Sequence, residues 1–320
     1  MGPIASSGAE SQAVNLGLGG LLCLIQLYQL FILPIGLLPE NGLWGLTVLP
    51  LLFATTSYWA LLHEAFHRLL HPNPAVNDRV GRTMAILFGA PYRVLRIGHL
   101  THHRLNGMAC DRPEAFDPTR RSRGAAAALF YPRLLFGLYL AELFSSLQAF
   151  LPRALAERLV RRIFYDGDPQ ARGTADMAVR RIVGSGGLSE VRADSAAIIA
   201  VYGSAFYCYG ENWPWLIAVI LGRGVAISVM DNAFHYGAPL GDSRQAYNLR
   251  LPDLASRLIL NFNLHRIHHC HPNLSWRALP AMLDARSDGY DENLSKALLR
   301  QFRGPIPLDR LKDEYPQASR

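Results

Sequence analysis

The sequence predicts an all-α integral membrane protein, with four transmembrane helices in two hairpins and a cytoplasmic helical cap that carries all of its histidines. Three observations lead there. Half of the 320 residues are hydrophobic and 18% are charged, a balance too apolar for an ordinary soluble chain. The apolar residues are gathered into uncharged runs near the roughly 20 residues that hydrocarbon requires. The basic residues lie almost wholly outside those runs.

The first two runs, Leu16 to Leu38 and Gly42 to Leu62, contain no charge and are joined by the short polar turn Pro39-Glu40-Asn41. They place spans at about 16–38 and 42–62. A matching pair, at about 195–209 and 213–233, flanks Gly210-Glu211-Asn212. Ala125 to Leu151 is also apolar, but Pro132-Arg133 breaks it and Glu142 interrupts it. It is expected to lie at the interface or against the spans. The remainder, about 63–194 and 234–320, forms the cap of a single domain covering 1–320.

Charge sets the orientation. No Lys or Arg precedes Arg68, and apart from Arg223 every one lies between the second and third spans or after the fourth. The positive-inside rule puts both cap segments in the cytoplasm and both hairpin turns outside. That bias also accounts for most of the net charge of +7, so no nucleic-acid partner is expected. Arg153, Arg158, Arg161, Arg162, Arg180 and Arg181 offer a basic surface to an anionic carrier, coenzyme or redox protein, although the same bias explains their presence. Arg223 stands twelve residues before His235, about 18 Å along a helix. Snorkelling to the far side with Glu211 as partner is the expected arrangement, and a place at the closed end of a substrate tunnel is the other. Cys23, Cys110, Cys208 and Cys270 show no paired spacing and are expected to be reduced bystanders.

The eleven histidines fall in tight clusters beside the apolar runs. His63 and His67 end the second run as HxxxH; His71 continues the step, but Pro72 and Pro74 are expected to end the helix there. His99, His102 and His103 form HxxHH, and His265, His268 and His269 repeat it. Offsets of three and four residues bring imidazoles to one helical face, and imidazole is the commonest metal ligand. One HxxxH and two HxxHH motifs at one depth on one membrane side point to a polynuclear metal site. His235 closes the fourth run, and the residues alone leave it balanced between ligand and ordinary side chain. His71 and His271 read as solvated or hydrogen-bonded side chains.

At these residues the chain resembles the membrane fatty-acid desaturase superfamily, whose members carry HxxxH, HxxHH and HxxHH in this order on a four-span scaffold. Asn73-Pro74, Asn77-Asp78 and His269-Cys270-His271-Pro272 extend the likeness, which runs from about Leu51 to about Pro280. The resemblance implies two non-haem irons, dioxygen as co-substrate, and His63, His67, His99, His102, His103, His265, His268 and His269 as ligands. It adds His235 as a ninth through the acyl-CoA branch, in which an asparagine four residues earlier holds a metal-bound water. Asp231 stands there in this chain, with Asn232 adjacent, which leaves the water-binding role open between them.

Iron ligated by neutral imidazole suits the removal of hydrogen from an unactivated alkyl chain. The ligand rings need acceptors for their second nitrogens, and Glu64, Asp78, Asp111 and Asp231 are the candidates. For Asp78 and Asp111 an ordinary surface or capping role is the preferred expectation. The expected substrate is a lipid or acyl chain entering from the membrane. The electrons are expected from a separate ferredoxin or cytochrome b5 type donor. Desaturation is preferred; hydroxylation and carotenoid ketolation use the same motifs, and Trp276-Arg277-Ala278-Leu279-Pro280 resembles the carotenoid ketolases. A remoter alternative is an intramembrane zinc protease, because His63-Glu64-Ala65-Phe66-His67 also spells HExxH. A histidine-rich metal transporter would need polar ligands within the spans, whereas these histidines cap them.

Overall fold

The computed structural model describes residues 8–164, 172–184, 186–242, 244–286 and 289–312. Helix α1, Gly8–Leu27, continues into a wider π-helical segment, Tyr28–Leu37. Pro34 lies inside that segment and has no N–H to donate. The Leu38 N–H reaches back five residues to the Leu33 carbonyl at 2.9 Å, the register a π turn provides. The apolar stretch Ser11–Leu37 is long enough to cross a membrane and begins earlier than the expected residue 16.

The second expected span, 42–62, is a bent pair rather than one straight helix. Gly42–Thr47 and α2, Val48–Leu51, meet α3, Ala54–Phe66, at 50°. Proline does not end α3, contrary to the expectation from Pro72. Arg68 adopts a left-handed φ of 62°, and the Leu69 N–H returns to the Glu64 carbonyl at 2.8 Å. This Schellman closure stops the helix at Phe66, a full turn before His71.

Helix α4, Pro74–Phe88, starts on Asn73, whose side chain accepts from the Ala75 and Val76 N–H groups, with Pro74 supplying a preset first turn. It ends at Gly89, where φ is 106° and a Cβ would come within 2.7 Å of Leu143. Only glycine satisfies both constraints. Helix α5, Tyr92–Leu105, then carries the first HxxHH. The apolar stretch around residues 125–151 forms α6, Arg123–Pro132, and α7, Leu138–Gln148, linked by residues 133–137 with a bend of 76°. It packs against the later helices, as one of the two expectations for it had it. Two amphipathic helices follow, α8 at Arg153–Phe164 and α9 at Arg172–Ile182.

Helix α10, Gly187–Tyr209, begins well before the expected residue 195. Its first turns hold charges because they are paired: Asp194 with Arg82 of α4 and Glu190 with Arg93 of α5. Helix α11, Trp213–Ala233, matches the expected fourth apolar run. The chain doubles back at Gly210, because Arg223 Nη1 donates to Tyr202 Oη at 3.1 Å. Along one straight helix these residues would lie roughly 30 Å apart. Gly45 is pressed against the Trp215 ring, so residues 42–47 lie beside the start of α11, at the end of the bundle away from His63 and His235.

Arg223 does not snorkel. It is fully buried, and its guanidinium binds Tyr202 and, at 2.8 Å, Gln29 Oε1 rather than Glu211. Tyr202 in turn donates to the Leu87 and Phe88 carbonyls, which α4 leaves open at its end, and Tyr139 donates to Phe88 at 2.7 Å. A cation thus sits behind the negative end of α4, where the helix dipole favours it.

Beyond α11, the described chain forms α12, Asp253–Leu258; α13, His265–Cys270; α14, Leu279–Arg286; α15, Leu294–Arg300; and α16, Leu308–Lys312. Two short parallel pairs tie this segment down: β1, Ala115–Phe116, with β4, Ile306–Pro307, and β2, Leu249–Arg250, with β3, Glu292–Asn293. The largest apolar cluster, including Tyr58, Leu61, Phe66, Phe88 and Phe234, lies directly beneath the histidines. By contrast Leu24, Ile35, Phe53 and Tyr207 face outward, Phe53 with 84% of its surface exposed. An apolar outer face of that extent belongs in a membrane.

Candidate metal centre

Nine histidines converge from four places: the end of α3, the length of α5, the residues after α11, and α13. They form two groups. His63, His67, His99, His103 and His268 make the first; His102, His235, His265 and His269 make the second, with one nitrogen from each member within 4.8 Å of the others. The spacing explains the division. In each HxxHH the first and last histidines share a group, while the middle one, three residues on from the first, is turned to the other. Thus α5 gives two to the first group and one to the second, and α13 does the reverse.

The nitrogens face one another closely. Nε2 of His67 lies 2.7 Å from Nε2 of His99, which is 2.9 Å from that of His103, itself 3.0 Å from that of His268. In the second group Nε2 of His102 and His235 are 3.2 Å apart. Two nitrogens bound at right angles to a metal at about 2.1 Å stand roughly 3 Å apart. Nε2 of His63, fully buried, has no protein hydrogen-bond partner among the described residues. A buried imidazole nitrogen left without a partner is costly, and a metal bound by the group supplies one. The all-imidazole sets fit a transition metal such as iron or zinc and exclude a hard-oxygen ion such as calcium.

The electrostatics favour ligation. Burial, reinforced by neighbouring imidazoles, holds His99, His268, His265, His269 and His235 well below the ordinary histidine pKa. Burial and the Arg96 guanidinium lower His67 to about 4, and burial with His102 and His67 lowers His103 to about 2. These rings are therefore neutral, the form that binds metal. His102 departs from the pattern. Burial opposes its protonation, but the Asp111 carboxylate, through its charge and its hydrogen bond and with Asp231 adding to it, outweighs burial and raises it.

Asp111 Oδ2 lies 2.7 Å from His102 Nδ1, so the expectation of a mere surface or capping carboxylate is corrected for this residue. The 3₁₀ turn at Ala109–Asp111 brings it back under α5. Asp78 keeps to its expected role, bonded to Asn77 and Tyr92 rather than to a histidine. Glu64 is buried and accepts from the Trp276 backbone N–H at 3.3 Å. Asn232 commits its amide nitrogen to Gln301 Oε1 at 2.8 Å, and both it and Asp231 line the cavity that reaches His102 and His235. His71 Nδ1 accepts from the Asn73 N–H, and both His71 and His271 fall outside the two groups.

Three supporting residues escaped the sequence. Gln245 offers its carbonyl to His235 Nδ1 at 3.4 Å. Behind His235, Arg112 binds its carbonyl and pairs at 2.6 Å with Glu114, which also accepts from the Gly237 N–H. The charged run Asp111-Arg112-Pro113-Glu114 so soon after an HxxHH was the available signal.

A cavity of about 420 Å³ opens onto His99, His102 and His235. It runs between α5, α7 and α11 toward the apolar faces of α8, α9 and α10, with Ala156, Leu159, Val183 and Leu188 along its length. Such a slot accepts an extended apolar chain and brings part of it against the histidines.

Comparison with curated proteins and with solved structures finds no match to this chain. The family model described as fatty acid desaturase matches residues 42–296, from the start of the bent second span to α15, and takes in all nine histidines. The order of the histidine motifs and their meeting in two groups agree with that match, and the chain belongs to the fatty acid desaturase family.

Proposed function

We propose that the protein is an integral membrane desaturase that introduces a double bond into an acyl chain with dioxygen, holding one iron in each histidine group. The observation that carries this reading is the apolar cavity that ends on His99, His102 and His235. Two irons, when bound, supply the oxidising power that hydrogen removal from an unactivated carbon demands. The remaining work falls to the chain itself. Asp111 fixes the tautomer of His102 through Nδ1 and leaves Nε2 free as a ligand atom. The Gln245 carbonyl orients His235 in the same way. The cavity walls exclude water and measure off the chain, so that the carbon lying beside the histidines is the one oxidised.

The multi-pass arrangement belongs to the same proposal. Both hairpin turns face outward and the histidines lie at the cytoplasmic surface, where the basic residues collect. A separate ferredoxin or cytochrome b5 type protein delivers the electrons.

The zinc protease reading meets an objection at Glu64. A zinc protease needs its HExxH glutamate turned to the metal-bound water, whereas Glu64 is bound to the Trp276 backbone. The stretch at residues 276–280 that resembles carotenoid ketolases has a packing role here: the Trp276 indole donates to Asn15 Oδ1 at 3.0 Å and fastens the last histidine motif to α1. The test is metal analysis of the purified protein together with lipid and pigment profiling of a host expressing it. About two irons per chain and new unsaturated acyl chains are expected. One zinc with peptidase activity, or ketolated carotenoids without new unsaturation, overturns the proposal.

A further inference from the structure

The cavity that reaches the histidines is lined mostly by apolar side chains, with Thr101, Arg133 and Gln148 among its polar ones. Glu142 and Ser145 on α7 and Ser228 and Asp231 on α11 form a polar station within it. Ser145 is satisfied, since its hydroxyl donates to the Glu142 carbonyl. Glu142 Oε2 and Ser228 Oγ are buried and have no hydrogen-bond partner among the described residues. Ser228 is 97% buried, with 3% of its surface exposed, and what remains faces the cavity. Asp231 and Asn232 stand one turn further along α11, and His235 one turn beyond them, so the polar station adjoins the metal-facing end of the slot.

A hydrocarbon tail threaded past this point would press methylene groups against an unpaired carboxyl oxygen and an unpaired hydroxyl, and the loss would recur at each binding event. Chain geometry does not force the arrangement, because Ala141 on α7 and Ala149 just after it line the same cavity without polar side-chain atoms. We propose that the acyl substrate carries a hydrogen-bond donor on its chain, a hydroxyl or an amide N–H close to the carbon oxidised, and that Glu142 accepts from it while Ser228 completes its hydrogen bonding. The inference rests on the acyl-chain reading above and narrows it to polar-substituted acyl lipids. Glu142 and Ser228 are then specificity residues: they select the substrate and set how far it slides toward the histidines.

Binding tests this without turnover. The full-length protein in detergent is loaded with parinaric acid, a fluorescent fatty acid, and displaced with palmitic acid or with a positional series of hydroxypalmitic acids. At least one hydroxypalmitate is expected to bind roughly tenfold tighter than palmitate, the margin that one buried, well-paired hydrogen bond gives. Glu142→Leu should bring the two to equality, and Glu142→Gln, which keeps an acceptor of the same shape, should retain the preference. Palmitate binding as tightly as every hydroxypalmitate in the unmodified protein overturns the inference and leaves the acyl-chain reading standing. Failure of every acyl compound to displace the probe overturns that reading and the inference with it.

Discussion

Asp111 Oδ2 lies 2.7 Å from His102 Nδ1, and through that contact a carboxylate outside the histidine motifs governs one of the two candidate metal sites. The bond fixes which nitrogen of His102 faces His235 and raises the basicity of the ring. Asp111→Ala is expected to weaken metal binding by the second group roughly 10- to 100-fold while leaving the group built on His63, His67, His99, His103 and His268 intact. Iron content measured against a graded chelator should therefore fall in two steps, with the weaker step moved by the substitution. Unchanged chelator curves would return Asp111 to the surface role that its sequence position suggests.

Arg223 binds partners from two other segments, Tyr202 on α10 and Gln29 in the π-helical end of the first apolar stretch. Arg223→Ala would open a void and strand both partners, at an expected cost on the order of 3 kcal/mol. The unfolding temperature in detergent is the measurement. A snorkelling arginine would be indifferent to detergent, so an unchanged transition would refute the buried arrangement. Arg223→Lys should not rescue stability, because one ammonium lacks the fork that reaches two helices.

The apolar runs, their turns and the histidine motifs were legible because each is a local pattern: a length of uncharged residues, a spacing along one helix. What the sequence concealed depends on distant partners. Arg223 looks like a stray charge until α10 and the Gln29 segment close round it. Asp194 and Glu190 look like the end of a span until Arg82 and Arg93 pair with them and let α10 begin sooner. The division of nine histidines into five and four was half visible. The four-residue offsets told which pairs stay together, but only packing of α5 against α13 decides which group each pair joins. The stop of α3 was hidden for another reason: a left-handed arginine ends it, where glycine or proline would have announced the break.

Gly45 marks where residues 42–47 touch the start of α11. A Cβ on it would fall 2.1 Å from the Trp215 ring, a distance no side chain tolerates. Gly45→Ala is expected to destabilise by about 1–3 kcal/mol through overpacking. In a Trp215→Ala background the same substitution should cost close to nothing, and the double-mutant cycle read from thermal unfolding isolates the contact. An additive result would separate Gly45 from Trp215.

The sharpest division among the histidines is between His268 and His71. His268 reaches from α13 to His103 at 3.0 Å and is one of five donors in the first group. His71 lies only four residues past His67 yet is spent on the Asn73 N–H, because the Schellman turn at Arg68 swings it out of register. His268→Ala should therefore remove metal from the first group and abolish lipid oxidation, with membrane insertion unaffected, since the apolar helices do not depend on α13. His71→Ala should leave both metal content and activity largely intact. Iron per chain and product formation, measured side by side on membrane-inserted protein, check the pair. If His71→Ala also loses its metal, the chain after Phe66 must close on the site differently from the turn described here, and the five-membered group would have to be redrawn.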